Sequence, residues 1–224
     1  SPGEWLLWRI AGVKTCAHGM AGATGLYNPA TLRWHEPALE LSHLSQEKLL
    51  PLGDQSLRPH AAARRRWPLF AQAQWLPAIG DGAAGNLGSG ANTNDTIALN
   101  YGTSAALRIV RTGRPKSVPF GLFAYRLDER RYLLGGATSN AGIVRQWAVD
   151  TLRLPLEGLA LDRWIAAQNP GAHGLDVLPF MNGERAPYWR DELTGVLSGL
   201  RVSTSALDLV AALTEASYHR LALI

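Results

Sequence analysis

Apolar residues recur at helical spacing in several stretches of the chain, and shorter apolar runs lie between them. At the start, Ser1 then Pro2 reads as an N-cap followed by proline at the first helical position. Trp5-Leu6-Leu7-Trp8-Arg9-Ile10 continues the pattern to Gly12, so a helix is predicted over 1–12. A second amphipathic run predicts a helix over 139–152, with Ser139 as N-cap and Ile143, Val144, Trp147, Ala148 and Thr151 on one face. A third helix is predicted over about 158–168, and a fourth opens at Ser205, with Leu207, Val210, Ala211, Tyr218, Leu221 and Ala222 at helical spacing. Residues 36–50 carry leucines that suit a short helix or two, and 81–91 a helix of small residues. Strands are predicted around 23–27, 75–80, 96–101, 105–110, 121–125, 131–135 and 176–180. Asn28-Pro29-Ala30-Thr31 reads as a turn, 51–77 as irregular connection, and 181–195 as a loop. Strands and helices alternate, which places the chain in the α/β class. A polar break, Arg111-Thr112-Gly113-Arg114-Pro115-Lys116, sets a predicted domain boundary between residues 112 and 113.

Composition narrows the options. The 224 residues are 46% hydrophobic, enough for a substantial core in one large domain or two small ones. Apolar runs stay shorter than the roughly 18 residues a membrane helix needs, so no membrane partner is expected. A single cysteine, Cys16, excludes an intramolecular disulfide and a cysteine-cluster metal site, and fits a reducing, cytoplasmic setting. The net charge is +4, with its sharpest cluster at Arg64-Arg65-Arg66. That run, read as a solvated loop, lacks the interleaved aromatics of a nucleic-acid face, so no nucleic-acid partner is expected. The six histidines show no metal-ligand spacing with carboxylates.

The candidate chemistry sits in two segments. Ile79-Gly80-Asp81-Gly82-Ala83-Ala84-Gly85-Asn86-Leu87-Gly88-Ser89-Gly90 puts a carboxylate after an apolar run and before small residues. Asn100-Tyr101-Gly102-Thr103-Ser104 joins two predicted strands. One carboxylate and one phosphate-holding turn are what phosphoryl transfer requires. Taken by itself, Asp81 reads equally as a helix N-cap, and Gly102-Thr103-Ser104 as an ordinary hairpin turn.

These segments resemble the FGGY family of carbohydrate kinases, and the resemblance runs through nearly the whole chain. Thr24-Gly25-Leu26-Tyr27-Asn28-Pro29 looks like a strand and turn of the sugar domain. Asn140-Ala141-Gly142-Ile143-Val144-Arg145-Gln146-Trp147 looks like a nucleotide-binding helix start, and Gly183-Glu184-Arg185-Ala186-Pro187 like a segment of gluconate- and xylulose-type kinases. Gly195 to Leu200, with Asp208, Leu209 and Glu215, is similar to the family's C-terminal signature, from which Leu213 and Thr214 depart.

The resemblance implies an actin-like ATPase (ribonuclease H-like) fold, with parts of two domains present. Residues 1–112 would close the sugar-binding domain and 113–224 would open the ATP-binding domain. It implies ATP-dependent phosphorylation of a sugar or sugar acid, gluconate first and xylulose next, with Mg²⁺ arriving on the nucleotide. Asp81 would be the catalytic base. Gly102, Thr103, Gly142 and Gln146 would contact the nucleotide, the first-turn amides at Gly142 being free for an anion. His18, Glu184 and Arg185 would contact the sugar or the interdomain cleft. For each, a plain structural role is the alternative: a lone histidine in the fold, close helix packing at Gly142, solvent at Gln146, and a weak loop ion pair at Glu184-Arg185. The family's first phosphate loop and adenine-binding segment are expected outside residues 1–224, so the piece is expected to be inactive alone, with Leu221, Leu223 and Ile224 uncovered. A non-catalytic assembly or regulatory piece is the rival reading, and a homo-oligomer stays open.

Overall fold

A computed structural model describes residues 1–224. In chain order the helices and strands are α1 (Pro2–Ala11), α2 (His18–Ala21), β1 (Tyr27–Asn28), β2 (Arg33–Trp34), α3 (Glu36–Leu41), α4 (Ala61–Arg66) and α5 (Asp81–Gly88). They continue as β3 (Ile97–Tyr101), β4 (Ala105–Thr112), β5 (Phe123–Arg126), β6 (Arg131–Thr138), α6 (Gly142–Thr151), α7 (Gly158–Ala166), β7 (Asp176–Leu178), β8 (Val196–Ser198) and α8 (Ala206–Leu221). The main sheet has the order β3-β4-β6-β5. Two small antiparallel pairs stand apart: β1 with β2, Tyr27 opposite Trp34, and β7 with β8, Val177 opposite Leu197. No helix is long and apolar enough to cross a membrane.

The chain forms two compact units. The first holds Ser1–Thr96, Ile109–Val118 and Ala124–Leu134; the second holds Ile97–Arg108, Pro119–Phe123 and Gly135–Ile224.

In the first unit, α1 forms as its sequence dictates. Ser1 and Glu4 make a reciprocal capping box, Pro2 opens the helix, and Gly12 ends it at φ 75°, a left-handed conformation that suits glycine. Leu7 and Ile10 are its buried residues. The small residues of α5 bury Gly82, Ala83 and Asn86, and Ala83 packs in one cluster with Val110 and Leu133. A bulky side chain at 83 would hold this helix off the strands.

Three expectations for this unit need correction. The strand at 23–27 shrinks to Tyr27–Asn28, because α2 and a 3₁₀ turn at Gly22–Thr24 precede it. Thr24 fixes that turn, donating its hydroxyl to the Ala21 carbonyl at 2.6 Å and accepting from the Leu26 amide. The 51–77 connection contains α4, which puts Arg64, Arg65 and Arg66 in the last turn of a helix rather than in a loop. Its N-cap is the His60 ring, which accepts from the Ala63 amide at 3.2 Å; no Ser, Thr, Asp or Asn marks the start. The strand over 75–80 does not form. Trp75 makes one antiparallel bridge with Leu57, after which Pro77 supplies no donor.

The second unit packs α6, α7 and α8 around Val144, Ala148, Leu161, Val210 and Leu213, all essentially buried. α8 carries a second capping box, Ser205 with Asp208. Leu221 is buried beside Ala105 and Ala141, contrary to the expectation that it is uncovered, whereas Leu223 is 57% exposed. α6 starts three residues later than predicted. Ser139 is not its cap; Ala141 holds that position, with no side-chain bond. Val144 and Ala148 are its buried residues, while Trp147 and Thr151 face solvent.

Candidate active site

Asp81 occupies the first position of α5, and Gly80 is the capping residue, so the carboxylate is not an N-cap. Its Oδ1 accepts from the Gly82 amide at 2.7 Å. The side chain is exposed, and its second oxygen has no partner in the chain. A carboxylate oriented by one bond and open at the other oxygen can take a proton from an incoming hydroxyl.

Elsewhere in the first unit, His18 is tied down. Its amide donates to Asp54 Oδ1 at 2.9 Å, and its Nδ1 lies 2.8 Å from the Tyr27 hydroxyl. Asp54 also pairs with Arg126, Nε to Oδ2 at 2.9 Å. Burial, helped by Arg126 and Arg114 against the pull of Asp54, holds the His18 pKa below its usual value. Burial pushes Tyr27 up to about 12, so the pair stays neutral near pH 7. Cys16, buried nearby, is likewise pushed up to about 12, chiefly by desolvation, and is a poor nucleophile. Asp54 and Arg126 were missed in the sequence, where nothing links positions 72 residues apart.

In the second unit, β3 and β4 are joined by the exposed turn Gly102-Thr103-Ser104, closed by a bond from the Gly102 amide to the Ser104 carbonyl at 2.9 Å. This turn meets the start of α6. The Gly142 amide donates to the Gly102 carbonyl at 2.9 Å, and the Ile143 amide to the Thr103 carbonyl at 3.1 Å. A Cβ at Gly142 would sit 2.5 Å from the Gly102 oxygen, so only glycine permits the approach. The expectation of free first-turn amides is therefore corrected: those of Gly142 and Ile143 are consumed by the turn. What the arrangement offers a ligand is the exposed Thr103 with its hydroxyl. Gln146, one helical turn on, is exposed and donates to Asp150 at 2.8 Å. On the Ile143 side of α6 lies a cleft of about 560 Å³, lined also by Trp147, Met181, Asn182 and Leu197.

Glu184 is 1% exposed and forms an ion pair with Arg220 of α8. Arg220 lies over the rings of Phe180 at 5.1 Å and Tyr188 at 5.9 Å, and desolvation lowers its pKa. Glu184 is thus neither open to a ligand nor in a solvated loop bridge. Removing one partner of such a buried pair costs about 3–5 kcal/mol. Arg185, half-buried, lies over the Trp189 ring at 5.7 Å. Arg220 was missed, although the spacing Val210, Leu213, Ser217, Arg220 puts a charge in line with a core stripe.

Residues 97–224 match the model for the C-terminal domain of the FGGY family of carbohydrate kinases. The chain is 30% identical to a gluconokinase of Bacillus licheniformis over 97% of its own length and 45% of that protein's. It is 29% identical to a glycerol kinase of Stenotrophomonas maltophilia, covering 97% of the chain and 44% of the relative. Among solved structures it is similar to the gluconate kinase of Lactobacillus acidophilus, with a TM-score of 0.85 at 28% identity over 99% of this chain and 46% of that one. The ligand-bound xylulose kinase of the same organism gives 0.84 at 28% identity, over 98% and 45%. The chain thus spans a little under half the length of the relatives it matches, and its α/β architecture is the actin-like ATPase fold of sugar kinases. Over the larger part of its residues, the match places this chain in the FGGY family of carbohydrate kinases.

Proposed function

We propose that the full-length protein transfers the γ-phosphoryl group of ATP to a hydroxyl of a sugar or sugar acid, gluconate being the leading substrate. The observation that carries this reading is Asp81: an exposed carboxylate at the head of α5, held by the Gly82 amide and open at its other oxygen. In the reaction Asp81 takes the proton of the attacking hydroxyl as its oxygen approaches the γ-phosphorus in line with the leaving oxygen. The Gly102-Thr103 turn, braced by α6, presents the Thr103 hydroxyl to a nucleotide phosphate, and Gln146 extends the contact along the helix. No three His, Cys, Asp or Glu side chains are grouped to hold a metal ion. Mg²⁺ would come with ATP, held mainly by phosphates and water. In this reading residues 1–112 close the sugar-binding domain and 113–224 open the ATP-binding domain, the Gly102-Thr103 turn serving the nucleotide although it precedes residue 113. His18 would reach the sugar through Nε2, since its amide and Nδ1 are engaged. Glu184 and Arg185 act by holding their loop.

The relatives named gluconokinase favour gluconate among the acceptors. The test is a phosphorylation screen of the full-length protein across polyols, ketoses and aldonates with ATP. Saturable turnover with gluconate above the others is expected. Turnover with glycerol or xylulose instead would reassign the acceptor, and none with any sugar would overturn the reading.

A further inference from the structure

We propose that Asn140 is a positioning residue for the nucleotide site, fixing the Gly102-Thr103 turn through the start of α6. The inference rests on the reading of that turn as a phosphate cradle. Asn140 is fully buried, and its side-chain amide is used on both sides. Oδ1 accepts from the Asn182 amide at 3.1 Å, and Nδ2 donates to the Gly183 carbonyl at 2.5 Å. Its own backbone amide donates to Thr138 Oγ1 at 3.1 Å. Two residues on, the Gly142 and Ile143 amides hold the Gly102 and Thr103 carbonyls. The loop that Asn140 grips is itself anchored, by the Glu184–Arg220 pair and by the bond from the Ala186 amide to the Ala137 carbonyl at 2.9 Å. A continuous set of bonds therefore runs from α8 through the 182–184 loop and Asn140 to the turn.

The chemistry demands asparagine. The position needs a donor and an acceptor on one short planar group, each facing a backbone atom. Aspartate would set an oxygen against the Gly183 carbonyl, and alanine would take the side-chain partner from both the Asn182 amide and the Gly183 carbonyl. With the anchor gone, the first turn of α6 and the carbonyls it holds are free to shift. Small displacements of a phosphate-binding turn weaken binding strongly.

The test uses the full-length protein, with a non-hydrolysable ATP analogue and gluconate titrated separately by calorimetry, and melting temperature measured alongside. Asn140→Ala and Asn140→Asp are expected to weaken analogue binding by about tenfold or more, with gluconate affinity held within about twofold. A comparator, Leu175→Ala, removes a buried side chain in the same unit away from these bonds. It is expected to lower the melting temperature while leaving analogue affinity within about twofold. Should Asn140→Ala not fold, Thr138→Val removes only the acceptor for the Asn140 amide and is expected to weaken the analogue by about threefold. Wild-type affinity for the analogue in the soluble Asn140 and Thr138 variants would overturn the inference alone. So would a loss in the comparator matching that in the Asn140 variants at equal melting temperature. A wild-type protein that binds no nucleotide would overturn the functional reading along with it.

Discussion

The starts of α5 and α6 look alike in sequence, each opening among small residues, and neither has a side-chain N-cap. They solve the same problem in opposite ways. A helix start leaves backbone amides without partners. In α5 the Gly82 amide is taken by Asp81, its neighbour in the chain, and the carboxylate keeps one oxygen open. In α6 the Gly142 and Ile143 amides are taken by carbonyls some 40 residues earlier in the sequence. A local solution leaves a reactive group exposed; a distant one spends the amides on architecture. The difference teaches that a glycine at a helix start is no evidence of an anion site until its amides have been followed to their partners. The chemistry of the α6 start lies in the turn that it braces.

The comparison breaks most visibly at Asp81. In the full-length protein, Asp81→Asn is expected to lower kcat by about 10²–10⁴-fold while both ligands still bind. Steady-state kinetics with ATP and gluconate measure this, and turnover above about half the wild-type rate would remove the base from α5. At the other helix, Thr103→Val takes a hydroxyl from the turn with little change in volume. Analogue binding should weaken by about 1.5–3 kcal/mol, and sugar binding should not. Calorimetry with each ligand decides it, equal losses for both being the contrary result. Gly142→Ala probes the brace itself. Its Cβ would lie 2.5 Å from the Gly102 oxygen, so the turn must give way. A cost of about 1–3 kcal/mol is expected, divided between melting temperature and analogue affinity. An unchanged variant would mean that α6 and the turn are not tightly coupled.

The smallest effect is expected at α8, a third helix start with an ordinary capping box. Bonds from the Ser205 amide and hydroxyl hold the Asp208 carboxyl below its usual 3.8. Because the folded pKa is depressed, the stabilisation is present above pH 3.8 and is lost as pH falls through the lower folded value. Asp208→Asn should therefore cost about 1 kcal/mol or less near neutral pH, and nothing in strong acid, with ligand binding unaffected. Denaturant unfolding of both proteins across acid pH would test this. A difference that grows on acidification would be the opposite sign.

Much of this was legible in the chain itself. Ser1-Pro2, Gly12 and Ser205 with Asp208 mark helix ends because the residues that cap them are adjacent in sequence. The strands on either side of Gly102-Thr103-Ser104 declare themselves as apolar runs about a tight turn. Asp81, and the order of the motifs around it, pointed to the family that the comparisons establish. Where signals were unusual or absent, the reading failed. α4 is six residues long and capped by a histidine ring, too short for a periodicity and without a standard cap. The 75–80 run has the apolar character of a strand but only a single bridge, and strand character without a partner makes no strand.

Local chemistry thus determined the ends of α1 and the start of α8, the α/β class and the candidate carboxylate, since each depends on residues within a few positions of one another. Tertiary structure alone decided what the polar groups in the second unit do. Glu184, read as a ligand contact or a weak loop ion pair, is buried against Arg220, and Asn140, read as part of the helix over 139–152, lies before α6 and grips a loop 43 residues away. The physical reason is desolvation. Once the core removes water from a charge or an amide, its partner must come from whatever the fold brings within hydrogen-bonding distance, and that partner is set by packing rather than by sequence neighbours.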